Sequence, residues 1–105
     1  MRQGEIRRRL DTTVAVPQYV LVVSGPIYNT ADTGRVIACR VLPGAMPEDF
    51  AGVHAVRYTG PDGVSTIGIA VPELVDWYPR SALSAPVGVV ADMRPVIALV
   101  HSLFT

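Results

Sequence analysis

Nine arginines and no lysine carry every fixed positive side-chain charge of this chain. Three are consecutive, Arg7, Arg8 and Arg9, and a fourth, Arg40, interrupts an otherwise apolar run, RVIACRVL. A guanidinium is planar and permanently charged, so it can clamp a phosphate or carboxylate and stabilise developing negative charge, but it makes a poor proton shuttle. GC-rich coding explains an arginine-only composition more simply than selection for phosphate clamps does. The other reactive groups are sparse: Cys39, His54, His101 and the pair Trp77 and Tyr78. Cys39 falls among apolar neighbours and reads as an inert buried thiol. His54 shares a strand face with Val56 and Tyr58, which favours a satisfied, partly buried imidazole over a general base. His101 falls on the polar side of the C-terminal segment, and solvent is its expected surrounding. Trp77 and Tyr78 could stack on a nucleobase, although packing in the core or a subunit interface is the simpler role.

Several chemistries are excluded. No phosphate-loop, dinucleotide-binding or nucleophile-elbow motif occurs. Two histidines and one cysteine, widely separated, make no zinc spacing, and a single thiol cannot close an intrachain disulfide. No metal and no cofactor is therefore expected. A chain of 105 residues has room for one hydrophobic core, so residues 1–105 are expected to form a single domain. Half the residues are hydrophobic and only 17% are charged, which excludes disorder and leaves more apolar surface than a lone copy readily hides. The net charge is zero, so nucleic-acid binding would require a local patch. One is available: six arginines face three acidic residues in positions 1–40, and the proportion is reversed in the remainder. Arg7 to Arg9 stand where a secretion signal would be apolar, and no run approaches the roughly 18 apolar residues of a membrane span. A cytoplasmic protein without membrane attachment is expected.

These side chains must be positioned by short strands, because the nine prolines and nine glycines punctuate apolar runs throughout. Gly4 to Leu10 reads as a strand anchored by Ile6 and Leu10, and Asp11 to Pro17 as a loop. Tyr19 to Ser24 is nearly continuously apolar and β-branched, the pattern of a strand covered on both faces. Asn29 to Gly34 supplies a turn before a strand at Arg35 to Leu42. There the period of two puts Ile37, Cys39 and Val41 on a core face and Val36, Ala38, Arg40 and Leu42 on the other, where Arg40 is free to meet a ligand or second subunit. Pro43-Gly44 and Pro47 to Asp49 break the pattern. Val53 to Thr59 and Val64 to Val71 flank Gly60-Pro61-Asp62-Gly63 as a hairpin. Beyond Pro72 the prolines predict irregular chain, with one short strand near Val87 to Val90. From an Asp92 N-cap, Met93, Val96, Ile97, Val100, Leu103 and Phe104 recur at helical spacing, with Pro95 tolerated in the first turn. The fold class is thus mainly β within α+β: a small antiparallel, partly barrel-like sheet with an amphipathic C-terminal helix.

The order of segments resembles a toxin family. Gly4-Glu5-Ile6, Leu10 to Thr13 and Val20 to Ser24 are similar to the opening "RGEIW…LDPT…RPVLVVS" of the MazF/PemK (Kid) toxins. Arg35 to Leu42 resembles that family's strand "VVVPLTS", and Asp32 to Arg35 is similar to the CcdB branch. Ala31 to Cys39, Pro43 to Asp49 and Pro72 to Trp77 resemble a divergent MazF-like group of high-GC bacteria. The resemblance implies a CcdB/PemK-like fold related to SH3-like barrels, a homodimer, and metal-independent cleavage of single-stranded RNA. It also implies a MazE-like cognate antitoxin whose extended tail fills the same groove.

Such cleavage needs a base for the ribose 2′-hydroxyl, an acid for the 5′-oxygen and a cation over the phosphorane. Here the family pattern is broken. Gln18 stands at the family's arginine position and Leu42 at its catalytic threonine, so neither original role is available. Arg40, at a neighbouring position, is the candidate replacement cation, and Gln18 with Arg40 form the candidate catalytic pair. Arg9, Asp11, Thr12, Thr13 and Tyr19 are the candidate contacts for RNA or antitoxin. Two alternatives stay open: a CcdB-like protein gripping DNA gyrase without chemistry, and a catalytically dead relative that only binds antitoxin or RNA. The chain ends Leu103-Phe104-Thr105 rather than in the Trp-Gly-Ile tail of the gyrase-binding branch.

Overall fold

Burial on both faces sets the centre of the molecule. Val20, Leu21 and Val22 have no solvent exposure, as the unbroken apolar run of their strand requires. The computed structural model describes residues 1–13, 15–31, 33–43, 54–59, 63 and 65–104, with positions 43, 54 and 59 described by backbone alone. Their order is β1 (Glu5–Arg9), β2 (Tyr19–Val22), α1 (Pro26–Thr30), β3 (Arg35–Pro43), β4 (His54–Thr59), β5 (Ser65–Pro79), a 3-10 turn (Arg80–Ala82), β6 (Leu83–Val90) and α2 (Arg94–Ser102). The strands are hydrogen-bonded in the ring β1-β2-β3-β5-β4-β6, and every pairing is antiparallel. The ring is not a clean barrel, because among the described residues β4 meets β6 through only Tyr58 opposite Val90 and Thr59 opposite Val89.

Alternation along β2 and β3 divides the apolar residues between two cores. On one side Ile6, Leu21, Cys39, Val41, Val56, Ala70 and Val90 pack beneath Val96 of α2. Ile37 joins that side, so the expected core face of β3 is observed. On the other, Val20, Val22, Val36 and Ala38 are covered by Tyr78 and Leu83. The second face of β3 is therefore not free along its length. Its beginning is sealed, and only the Arg40 and Leu42 end is partly open.

Close approach explains two glycines. Gly4 has φ +95, and a Cβ there would stand 2.9 Å from the Val90 carbonyl oxygen. Its N–H and C=O tie β2 to β6, bonding Val22 at 2.9 Å and Val90 at 2.8 Å. At Gly68 a Cβ would meet Val41 Cγ1 at 2.8 Å, so its absence lets β5 lie against the inner core.

The structure corrects four expectations. The expected turn at Asn29 to Gly34 begins in a helix, with Asn29 and Thr30 in the last turn of α1: Pro26 fixes φ in its first turn, and the Asn29 amide is held inside. Asn29 Nδ2 donates to the Ser24 carbonyl at 2.8 Å, while Ser24 Oγ donates to Asn29 Oδ1 and accepts from the Ile37 N–H. The chain after Pro72 is not irregular, since β5 continues to Pro79 and β6 spans Leu83–Val90. Proline is accommodated because the pairing with β3 jumps from Arg40 opposite Val71 to Cys39 opposite Val75; Pro72, Glu73 and Leu74 lie in the resulting bulge, where no ladder donor is required. The N-cap of α2 is Met93, with Asp92 one residue earlier accepting the Arg94 N–H at 3.2 Å. Leu10, Leu103 and Phe104 are exposed, the last two because α2 ends at Ser102. Met93, Val96, Ile97 and Val100 do face the core, and the β4–β5 hairpin pairs as expected from His54 opposite Ala70 to Thr59 opposite Ser65. The expectations for Asp32, for Gly44 to Val53, for Gly60-Pro61-Asp62 and Val64, and for the His54 side chain lie outside the described residues.

Candidate anion-binding site

Strand alternation separates the three consecutive arginines. Arg7 is directly opposite Val20, which is opposite Arg40, so this row shares the outer face of β1, β2 and β3. Arg8 is exposed, and its backbone N–H is held by Ser84 Oγ at 2.9 Å. Arg7 is buried and committed: Nη1 donates to the Ser84 carbonyl at 2.7 Å and Nη2 to Glu5 Oε1 at 2.8 Å. Burial by itself would raise the Glu5 carboxyl. The hydrogen bonds from Arg7 and the Arg2 N–H, with the charges of Arg7 and the N-terminus, outweigh it and hold that carboxyl below its ordinary range.

Arg9 is the hub of a more open cluster. Its Nε donates to Asp11 Oδ1 at 3.1 Å and its Nη2 to Asp11 Oδ2 at 3.4 Å, while Nη1 donates to Gln18 Oε1 at 3.1 Å. The guanidinium carbon stands 5.3 Å from the centre of the Tyr78 ring, within cation–π range. The Asp11 hydrogen bonds raise the Arg9 pKa and lower that of Asp11. Tyr78 is raised mainly by burial; Arg9 and Arg40 act against that rise, whereas Asp76 and Asp11 add to it. Two guanidiniums and two carboxylates thus act electrostatically on one phenol.

Arg40 differs from Arg7 and Arg9. It is partly buried, its Nε, like that of Arg7, is enclosed without a hydrogen-bond partner, and among the described residues it forms no ion pair. A half-enclosed cation without a counter-ion is suited to an anion that enters from solvent.

The structure joins three of the sequence candidates, Arg9, Asp11 and Gln18, by hydrogen bonds, and Arg40 shares with Arg9 and Asp11 an electrostatic effect on Tyr78. Tyr19 is not among them: it points to the other face of β2 and packs on the inner core, where the Tyr58 hydroxyl pKa is raised mainly by burial and further by electrostatic interaction with Tyr19. Thr12 is half-buried and Thr13 exposed in the segment after β1. Trp77 and Tyr78 separate, Trp77 being 59% exposed and Tyr78 only 7%. Trp77 therefore is not a core residue; with Phe104, Val75, Val100, Ile37 and Val23 it lines an apolar groove of about 210 Å³. Cys39 is fully buried, its thiol pushed up to about 12 by burial, and His101 is exposed, both as expected. Asp76 escaped sequence reasoning. The missing signal was a strand through Asp76, Trp77 and Tyr78, which would have put Asp76 and Tyr78 on one face.

Comparison with known proteins bears on what this cluster serves. Residues 4–103 match the model of a family described as "Type II toxin-antitoxin system toxin Rv0299". The chain belongs to this family. It is also 38% identical over 102 residues to "Toxin Rv0299" of Mycobacterium tuberculosis (strain ATCC 25618 / H37Rv), an alignment spanning 95% of this chain and 94% of that toxin. As a type II toxin-antitoxin toxin it has an antitoxin as its expected partner. No described helix is long and apolar enough to cross a membrane.

Proposed function

We propose that this toxin is an endoribonuclease whose substrate is single-stranded RNA and whose active site is the Arg9, Gln18 and Arg40 face, within the single domain of residues 1–105. The observation that carries the reading is Arg40, a partly enclosed cation with no ion pair among the described residues, which acts on the same Tyr78 phenol as a second guanidinium already oriented by three partners. In the proposed reaction the 2′-oxygen attacks the adjacent phosphorus as its proton passes to the Asp11 carboxylate. The P–O5′ bond then breaks, and the departing oxygen takes a proton from water, whose hydroxide recovers the proton held by Asp11. The products are a 2′,3′-cyclic phosphate and a 5′-hydroxyl end, and no metal or cofactor enters. Arg40 stabilises the charge that develops on the phosphorane, while Arg9 and Gln18 hold the backbone in place; Thr12 and Thr13 lie on the path of the flanking nucleotides. The sequence resemblance supports a wider kinship with the MazF/PemK/CcdB toxins, a homodimer, a MazE-like antitoxin and a cytoplasmic site of action. Tyr19, on the other face, is retained only as a candidate antitoxin contact.

The test is incubation of the purified protein with a long RNA in EDTA and mapping of new 5′-hydroxyl ends. Cleavage that disappears in Arg40→Ala is expected. Equal cleavage by both proteins removes Arg40 from the mechanism. Binding without cleavage identifies a non-catalytic toxin, and inhibition of gyrase supercoiling without any RNA effect identifies the gyrase-binding class.

A further inference from the structure

The partners of Arg9 occupy three distinct parts of its guanidinium. Gln18 takes Nη1, the Tyr78 ring lies against the face, and Asp11 takes the Nε and Nη2 edge with both of its oxygens. Gln18 immediately precedes β2 and Tyr78 lies in β5, so neither of these contacts is made through Asp11. The third differs, because Asp11 is exposed on the segment leaving β1, and its side chain retains 42% of its accessibility against 24% for Arg9. Two N–H groups to two oxygens is also the geometry by which arginine holds a phosphate. Resting on the reading of this face as an RNA site, we infer that Asp11 is a built-in competitor for RNA. Its carboxylate occupies the edge of Arg9 that a backbone phosphate takes when RNA binds.

The energetics allow the exchange. An exposed ion pair is weak because water screens both charges and two side chains must be immobilised to form it. A phosphodiester positioned there would also feel Arg40, which Asp11 does not neutralise through any hydrogen bond or ion pair. The contact would thus admit a ligand that engages both guanidiniums and discourage a lone small anion. Asp11 then has two consequences of opposite sign: it weakens RNA binding by competing for Arg9, and, displaced from that edge, it is the carboxylate close to the bound backbone.

The test uses full-length protein and a single-stranded oligonucleotide with 2′-O-methyl riboses, which binds but cannot be cleaved. Asp11→Asn is expected to bind it about fivefold more tightly and to steepen the dependence of log K on log salt by about 0.7, the value for one more neutralised phosphate on a single strand. In an Arg9→Ala background the same substitution is expected to change affinity little. Asp92→Asn, which removes an equal charge from the Arg94 pair on another part of the surface, is the control. Affinity unchanged or reduced in Asp11→Asn overturns the inference, as does equal tightening in Asp92→Asn or in the Arg9→Ala background. The nuclease reading is judged separately on cleavable RNA in EDTA. Tighter binding without cleavage by wild type leaves the competitor role standing and removes the enzyme, whereas cleavage without tighter binding does the reverse. Absence of binding in every variant overturns both.

Discussion

Arg7 and Arg9 are two residues apart on one strand and use the same chemistry to opposite ends. Arg7 is buried, bonded to the Ser84 carbonyl of β6 and to Glu5, and joins β1 to its neighbour. Arg9 stands where β1 leaves the sheet, and its carboxylate partner is in solvent. Residue type therefore does not separate a structural arginine from a candidate binding arginine here. The burial of the counter-ion does, because a buried pair cannot be parted without leaving a charge stranded, whereas an exposed pair exchanges partners at little cost.

The sharpest way to extend this contrast is through Arg40, which has no counter-ion among the described residues. Arg40→Ala is expected to lower RNA cleavage by about 10²–10³-fold, as loss of one donor to a developing oxyanion does. Its melting temperature should fall less than that of Arg7→Ala, because among the described residues no carboxylate loses an ion-pair partner when Arg40 is removed. A large loss of stability would instead class Arg40 with Arg7. Arg7→Ala is expected to cost about 2 kcal/mol, having left Glu5 and the Ser84 carbonyl without their donor. For a domain of this size that is a fall of about 10 °C in Tm, measured by calorimetry.

Acid should act on the same pair. Since Glu5 has a depressed pKa in the folded chain, its contribution is complete above its ordinary value of 4.5 and is lost as the pH falls through the folded value. Denaturant titrations from pH 6 downward should show stability declining below 4.5, with a shallower decline in Glu5→Gln. An identical acid limb in both proteins would remove this carboxyl as a source of stability.

The legible parts of the molecule were those set by local alternation. The period of two in Arg35 to Leu42 separates Cys39 and Val41 from Arg40, and the apolar run at Val20 to Val22 demands cover on both faces; both features are observed. The nature of that cover was not legible, because Tyr78 reaches the second face only through a three-residue jump in the β3–β5 register. Local chemistry also misled: the three prolines between residues 72 and 86 argue against strands, and the structure places Pro72 in a bulge, Pro79 at the last pair of β5 and Pro86 at an irregularity in the β1–β6 pairing. Pro26 did not announce α1, because a proline after a strand is equally a terminator and a first-turn helix residue. Within the candidate site, the arginines were visible as a charge excess, but the pairing of Arg9 with Asp11, Gln18 and Tyr78 depends on distances that a one-dimensional pattern does not contain.

The smallest expected effect is the one that discriminates best between the two arginines. Lysine keeps the charge but offers a compact ammonium in place of a planar fork. At position 7 a lysine cannot reproduce the separate bonds from Nη1 to Ser84 and from Nη2 to Glu5 in a buried setting, so it should recover only part of what Arg7→Ala loses. At position 9 the partner is exposed, and Arg9→Lys should change stability by less than about 1 kcal/mol. Its binding of uncleavable RNA should nevertheless fall, because both the two-pronged phosphate contact and the stacking on Tyr78 require the guanidinium plane. Equilibrium denaturation and oligonucleotide titration of the two lysine variants separate these quantities. If Arg9→Lys proved as destabilising as Arg7→Lys, the Asp11 pair would be a structural tie, and the division between a committed and an exchangeable arginine on this strand would collapse.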